Sequence, residues 1–130
     1  MSEPDYAATM PLALTLGMTI TEATPAEVIG QMDWTEDKTT IGGGLHGGAL
    51  MAFADSVGAV CAFLNLPAGA GTSTTSSSTV FVRAVREGTV TATARPLHAG
   101  RSTIAVTTQL TDSSGRLVAQ TTQTQAVLAG

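Results

Sequence analysis

The sequence predicts a single α+β domain in which an antiparallel sheet wraps around one long central helix. Three observations predict it. A chain of 130 residues is the size of one domain and can bury a core of its own. One apolar run, His46–Leu66, is far too long for a strand and is rich in Ala, Leu and Met, which favour helix. After it come four Thr- and Val-rich runs separated by short turn signals, the pattern of antiparallel strands.

The elements follow in chain order. Pro11–Leu16 reads as a short helix, and Met18–Thr24 and Glu27–Trp34 as extended segments joined by a turn at Thr-Pro-Ala-Glu, 24–27. A polar loop at 33–40 leads to a glycine cluster at Gly42, Gly43 and Gly44. The long run then carries apolar residues around nearly its whole circumference, which marks a helix buried on most sides. A membrane span is the competing reading, and an Asp and an Asn inside the run, with glycines at its head, count against it. Pro67, Gly69 and Gly71 end the helix. The strand runs are Thr72–Val82, Thr89–Leu97, Arg101–Thr111 and Arg116–Leu128, with breaks at Glu87-Gly88, Ala99-Gly100 and Asp112–Gly115. Val90, Ala92 and Ala94 alternate with threonines, and Ile104, Val106, Thr108 and Leu110 repeat the pattern. These runs are expected to form a four-strand meander packed against the helix.

Composition narrows the classes of function. Hydrophobic residues make up 43% of the chain and charged ones 12%, where roughly a quarter is usual for soluble domains. So thin a coat of charge predicts that another subunit covers part of the surface. A net charge of −4 argues against a nucleic-acid partner. Eight of the ten acidic residues lie within positions 1–55, and five of the six basic residues are arginines between Arg83 and Arg116. Arginines gathered in that way can still present a local site for an anionic ligand. The lone Cys61 sits in the apolar run as a small hydrophobe and fits a reducing, cytoplasmic compartment. The opening MSEPDYAATMPLAL has acidic residues and no basic region, unlike a secretory signal. No metal-ligand spacing or Walker-type phosphate loop is present, so neither a metal nor a cofactor is expected.

Asp55 is the residue out of place. It is the one formally charged side chain between Ile41 and Val82, and it stands midway along the apolar helix. Burying a carboxylate costs several kcal/mol unless partners compensate it, and Asp prefers a helix cap to a helix interior. Local propensity and solvation both oppose it, and conflicts of that kind concentrate at functional sites. The bland alternative is an Asp that faces solvent or pairs with an arginine at a subunit contact. The chemical reading is a general base or nucleophile at a dry cleft.

His46-Gly47-Gly48 opens the same helix. The first N–H groups of a helix lack internal partners, and glycines allow close approach to them, so an oxyanion or polarised carbonyl would fit there. Glycines at a loop–helix junction can equally be a matter of geometry alone. His46 and Asp55 are nine residues apart, two and a half turns, so Asp55 cannot reach a group held at Gly47 of its own chain. A site that combines the two needs a second subunit.

These residues carry a family resemblance. G-x-x-H-G-G at Gly43–Gly48, then Asp55, F-x-R-x-V-x-x-G at Phe81–Gly88, HAGRST at 98–103 and DSSGRLVAQ at 112–120 keep their order and spacing over roughly residues 35–128. The chain resembles the hot-dog-fold acyl-CoA thioesterases of the PaaI and Arthrobacter-type 4-hydroxybenzoyl-CoA thioesterase group. The resemblance implies one hot-dog domain over residues 1–130, a homodimer with a continuous sheet or a homotetramer built from it, and active sites across the dimer interface. It implies that Gly47 polarises the thioester carbonyl, that His46 orients the loop, and that Asp55 attacks the carbonyl carbon or activates water. Gly48, in the same glycine turn, is expected among the substrate-binding residues. Arg83, Arg101, Ser102 and Thr103 fall on segments that hold the nucleotide and phosphates of CoA, and arginine forks suit phosphate oxygens; taken singly, each also reads as a solvated strand residue.

The sequence departs from the family pattern in two places. Thr40 stands where relatives often carry Asn or Gln, and its hydroxyl or a neighbour takes over that role. Ala59 stands where some relatives have a water-binding Thr, and Ser73–Ser78, with Ser73 at its head, is the segment expected to supply that water's partner. His98 heads a turn and reads as structural. The small side chains of Ala52, Gly58 and Ala59 leave room for a bulky, aromatic acyl group. Two other classes stand beside thioester hydrolysis. A hot-dog dehydratase or hydratase needs a histidine acting with the acid, and none lies near Asp55 in the helix. Asp55 speaks against a non-catalytic acyl-CoA-binding module, and Thr40 keeps that alternative open.

Overall fold

The computed structural model describes residues 4–129; Met1, Ser2 and Glu3 of the opening stretch lie outside the described residues. After a 3-10 turn at Ala7–Thr9, helix α1 runs Pro11–Leu16, with its proline at the first helical position, where no N–H is needed. Strands β1 (Thr19–Ala23) and β2 (Val28–Asp33) follow, joined by paired Thr24 and Glu27 backbones. The polar loop contains a 3-10 turn at Glu36–Lys38 and ends in helix α2, Gly47–Leu64. Strands β3 (Gly71–Phe81), β4 (Thr89–Ala99), β5 (Thr103–Thr111) and β6 (Leu117–Leu128) complete the chain.

The six strands form one antiparallel sheet in the order β1-β2-β4-β5-β6-β3, and α2 touches every one of them. The α+β hot-dog arrangement expected from the sequence is therefore present. The apolar length of α2 belongs to the core of this fold: Phe53, Val57 and Cys61 are fully buried against the inner face of the sheet. Val90, Ala92, Ala94, Ile104, Val106 and Leu110 supply that face, as their alternation predicts. Burying a side chain such as Phe53 contributes about 1.5–3 kcal/mol. Burial also pushes the Cys61 thiol up to about 11, so it packs as a hydrophobe.

One expectation is corrected. The second half is not a four-strand meander: β4, β5 and β6 are consecutive neighbours, but β3 lies at the far edge beside β6. Glu87-Gly88 is a turn signal that does not close a hairpin. Residues 82–88 instead cross the end of the sheet, with Val85 buried and its carbonyl accepting from Leu45 N–H at 2.9 Å. Trp34 N–H then bonds Gly88 at 2.7 Å and delivers β4 to β2. Helix α2 is buried on most sides, as expected. Its outward stripe stays open, with Met51 36% and Phe63 54% exposed and Asp55 half-buried between them.

Candidate active site

Asp55 sits on the outward stripe of α2 where β3 and β6 flank the helix. Its Oδ1 accepts two hydrogen bonds, from the Thr74 hydroxyl at 2.9 Å and from Gln123 Nε2 at 2.9 Å. A second layer holds Thr74. Gln125 Nε2 donates to Thr74 Oγ1 at 2.6 Å, and the Thr72 hydroxyl donates to Gln125 Oε1 at 3.0 Å. Among the described residues no arginine or lysine pairs with Asp55; the ion pairs found there are Arg95–Glu27 and Arg116–Asp112. Both donors reach the same oxygen, and no described group donates to Oδ2. That oxygen is left to a shallow groove lined by Met51, Ala52, Thr74 and Ser77.

Gln123 explains Gly58. The glutamine is 1% exposed, its Oε1 has no partner among the described residues, and a Cβ on Gly58 would overlap that oxygen. The space at Gly58 is filled by the side chain that positions Asp55, so it does not serve an acyl group as the sequence reading expected. Ala52 and Ala59 do remain open to grooves.

At the head of α2, His46 is the N-cap, and its Nδ1 accepts from Gly48 N–H at 2.8 Å. An accepting Nδ1 leaves the ring proton on Nε2. The histidine thus orients the turn, and Gly48 N–H is spent on it. The Gly47 N–H has no acceptor among the described residues. Gly47 lies beside the Phe81 ring, on a groove that Leu45, Leu50 and Arg83 also line. Gly47 and Asp55 are about 12 Å apart along the helix at 1.5 Å per residue.

The remaining predicted residues are scattered. Thr40 is exposed in the loop, its backbone tied to Gly43 and Gly44 and its hydroxyl without a described partner. Ser73 is exposed, and strand alternation gives the inward places to its neighbours Thr72 and Thr74. Arg83 N–H bonds Val118, whereas Ser102 accepts from Val127. Nine residues of β6 separate these anchors, about 30 Å at strand rise. In one chain, Arg83 therefore lies at the Gly47 end of the sheet, and exposed Arg101, Ser102 and Thr103 lie at the other. His98 packs on Gly100 at the β4–β5 turn, a structural place. Thr74 falls in the Ser73–Ser78 segment expected to bring hydroxyls to the site, whereas Gln123 and Gln125 were not foreseen. The available signal was the TTQTQ run of β6, in which both strand faces are polar although one must face the core.

Comparison with known proteins agrees with this architecture. Residues 42–119 match the Thioesterase superfamily. A Mycobacterium tuberculosis protein named "Putative esterase Rv1847" is 34% identical over 115 residues, covering 86% of this chain and 82% of the relative. The solved structure of that esterase superposes with a TM-score of 0.90 at 30% identity, covering 93% of this chain and 98% of the other. A thioesterase family protein from Silicibacter pomeroyi superposes at 0.88 with 27% identity, covering 95% and 93% of the two chains. A variant of thioesterase PA1618 from Pseudomonas aeruginosa gives 0.90 at 25% identity, covering 98% and 96%. With the hot-dog architecture in place and the family match spanning α2 and most of the sheet, the chain belongs to the thioesterase superfamily.

Proposed function

We propose that this protein hydrolyses an acyl-CoA thioester to a carboxylic acid and CoA, with Asp55 as the reacting carboxylate. The observation that carries the reading is the one-sided coordination of Asp55. Thr74 and Gln123 hold Oδ1, and Oδ2 is left free on an open groove. A carboxylate so held is oriented for attack on the thioester carbon or for deprotonating a water aimed at it. Water adds across the acyl–sulfur bond; the sulfur leaves as thiolate and takes up a proton. The unclaimed Gly47 N–H suits the carbonyl oxygen as charge develops on it. Its distance along the helix favours a donor from a second copy of the chain, so the working unit in this reading is a homodimer or a homotetramer. Arg83, and Arg101 with Ser102 and Thr103, are the groups for CoA phosphates on opposite rims of the site. A dehydratase mechanism finds no support, since the His46 ring is turned to Gly48 N–H at the head of the helix. The buried, unpaired Cys61 fits a cytoplasmic enzyme.

The test is a panel of aryl- and alkyl-CoA thioesters with a thiol-release readout, run for the parent and for Asp55→Ala. We expect hydrolysis of at least one member and a loss in kcat of at least about a hundredfold on Asp55→Ala. A panel left uncleaved by the parent, or an Asp55→Ala protein that keeps most of its activity, overturns the reading.

A further inference from the structure

A second cavity opens on the same helix stripe as Asp55. It has a volume of 420 Å³ and lies between the N-terminal segment and the C-terminal half of α2. Pro4, Tyr6 and Met10 form one side, and Ala59, Val60 and Phe63 the other. The Tyr6 and Phe63 rings meet edge to face with centroids 6.3 Å apart, which sets the end wall. Thr9 also lines the cavity, but its hydroxyl donates to Tyr6 O at 2.7 Å and asks nothing of an occupant. Among the described residues no charged side chain lines the cavity.

The position of this cavity decides its use. Asp55, Ala59 and Phe63 follow one another at intervals of four residues, so they stack along one helix face with neighbouring Cβ atoms about 6 Å apart. A thioester carbon within reach of Asp55 Oδ2 therefore has its acyl substituent one turn from Ala59, at the mouth of the cavity. We infer that this cavity is the acyl pocket and that it selects uncharged, bulky acyl groups, aryl or medium-chain alkyl. The inference rests on the reading of Asp55 as the reacting carboxylate. A dry cavity of about 150 Å³ already holds a benzene ring. The space here is well beyond that, so an acetyl group leaves most of it empty while an arylacyl or octanoyl group fills it. Each methylene buried there strengthens binding by about fourfold. A dicarboxylic acyl group would bring its charge into a wall with no cation among the described residues to meet it.

The test separates the pocket from the catalysis. Two hydrolysis-resistant thioether analogues, phenacyl-CoA and acetonyl-CoA, are titrated calorimetrically into the full-length protein. The phenacyl analogue is expected to bind at least about tenfold more tightly, and Ala59→Phe, which plugs the mouth, to bring the two within about twofold. Phe63→Ala, at an exposed position where the fold tolerates change, is expected to shrink the preference as well. Equal affinities in the parent, or a preference untouched by both substitutions, overturn the inference and assign the cavity to a segment of a second copy. If the parent cleaves no thioester but keeps an Ala59-dependent phenacyl preference, the catalytic reading fails and the pocket stands.

Discussion

At the scale of single residues, the cost of placing a carboxylate in an apolar helix is met by two neutral donors rather than by a cation. Thr74 and Gln123 satisfy one oxygen of Asp55, and a buried amide one layer back holds Thr74. A cation would have neutralised the group it held, whereas neutral donors leave its charge available for chemistry. Gln123 is then a positioning residue, and Gly58 is small on its account. Gln123→Leu is expected to lower kcat about tenfold or more on the best thioester with KM little changed, since Gln123 touches the carboxylate and not the substrate. Gln123→Glu, which keeps the shape but brings a second carboxylate to Oδ1, is expected not to rescue it. Steady-state kinetics on the two variants decide the matter, and an unchanged kcat in Gln123→Leu removes the role. Gly58→Ala forces the same side chain away from its seat and is expected to cost about 1–3 kcal/mol in urea unfolding as well as activity. Asp55 itself was legible in the sequence because a lone charge conflicts with its surroundings. Its glutamine partner was not. A Gln in a Thr-rich strand looks like any solvated strand residue until the neighbouring helix is placed over it.

At the scale of elements, legibility follows the range of the interactions. The bounds of α1, α2 and the strands are set by local periodicity and by turn chemistry, and the sequence carries both. The position of β3 is set by its pairing with β6, which joins Thr72 to Val127 across more than fifty residues. Local signals say nothing of that partner, and Glu87-Gly88 imitates a hairpin turn while serving a crossover. The β5–β6 connection is a true hairpin, and its turn is built on Asp112. The carboxylate accepts from Arg116 N–H at 3.0 Å and Ser114 N–H at 2.9 Å, with Arg116 Nε on its other oxygen at 3.0 Å. The Arg116 backbone bond lowers its pKa most; the Ser114 bond and the Arg116 charge add to this, and partial desolvation opposes it. A carboxylate lowered in the folded state adds stability that is fully present above its unfolded value near 3.9 and is lost as pH falls through the folded one. The parent is therefore expected to be more stable than Asp112→Asn in urea at pH 7 and to lose that advantage as pH falls below about 4. An advantage that is the same at pH 7 and pH 3 contradicts the assignment.

At the scale of the whole molecule, the open features all lie on one side. β3 is an eleven-residue edge strand with unpaired backbone, and Val80, Phe81 and Val82 at its end are exposed. The outward stripe of α2 runs beside it with Met51 and Phe63 uncovered. Natural sheets cover or charge their edges, and this edge carries no charge between Gly71 and Val82. In the proposed dimer, a second copy pairing on β3 would close the edge, cover the stripe and bring the Gly47 N–H of one chain toward the Asp55 of the other. That arrangement can be tested without seeing the dimer. Gly47→Pro removes the N–H at a position where helices accept proline, and His46 already has the extended backbone (φ −61, ψ 135) that a following proline requires. Asp55→Ala removes the carboxylate. Each variant alone is expected to be nearly inactive. When the two are unfolded together and refolded as an equal mixture, half the dimers are mixed, and each mixed dimer has one site with both groups intact. Activity should then return to about a quarter of the parent's, half the dimers times one of two sites. If Gly47 and Asp55 of the same chain formed the site, every site in the mixture would lack one group and mixing would restore nothing.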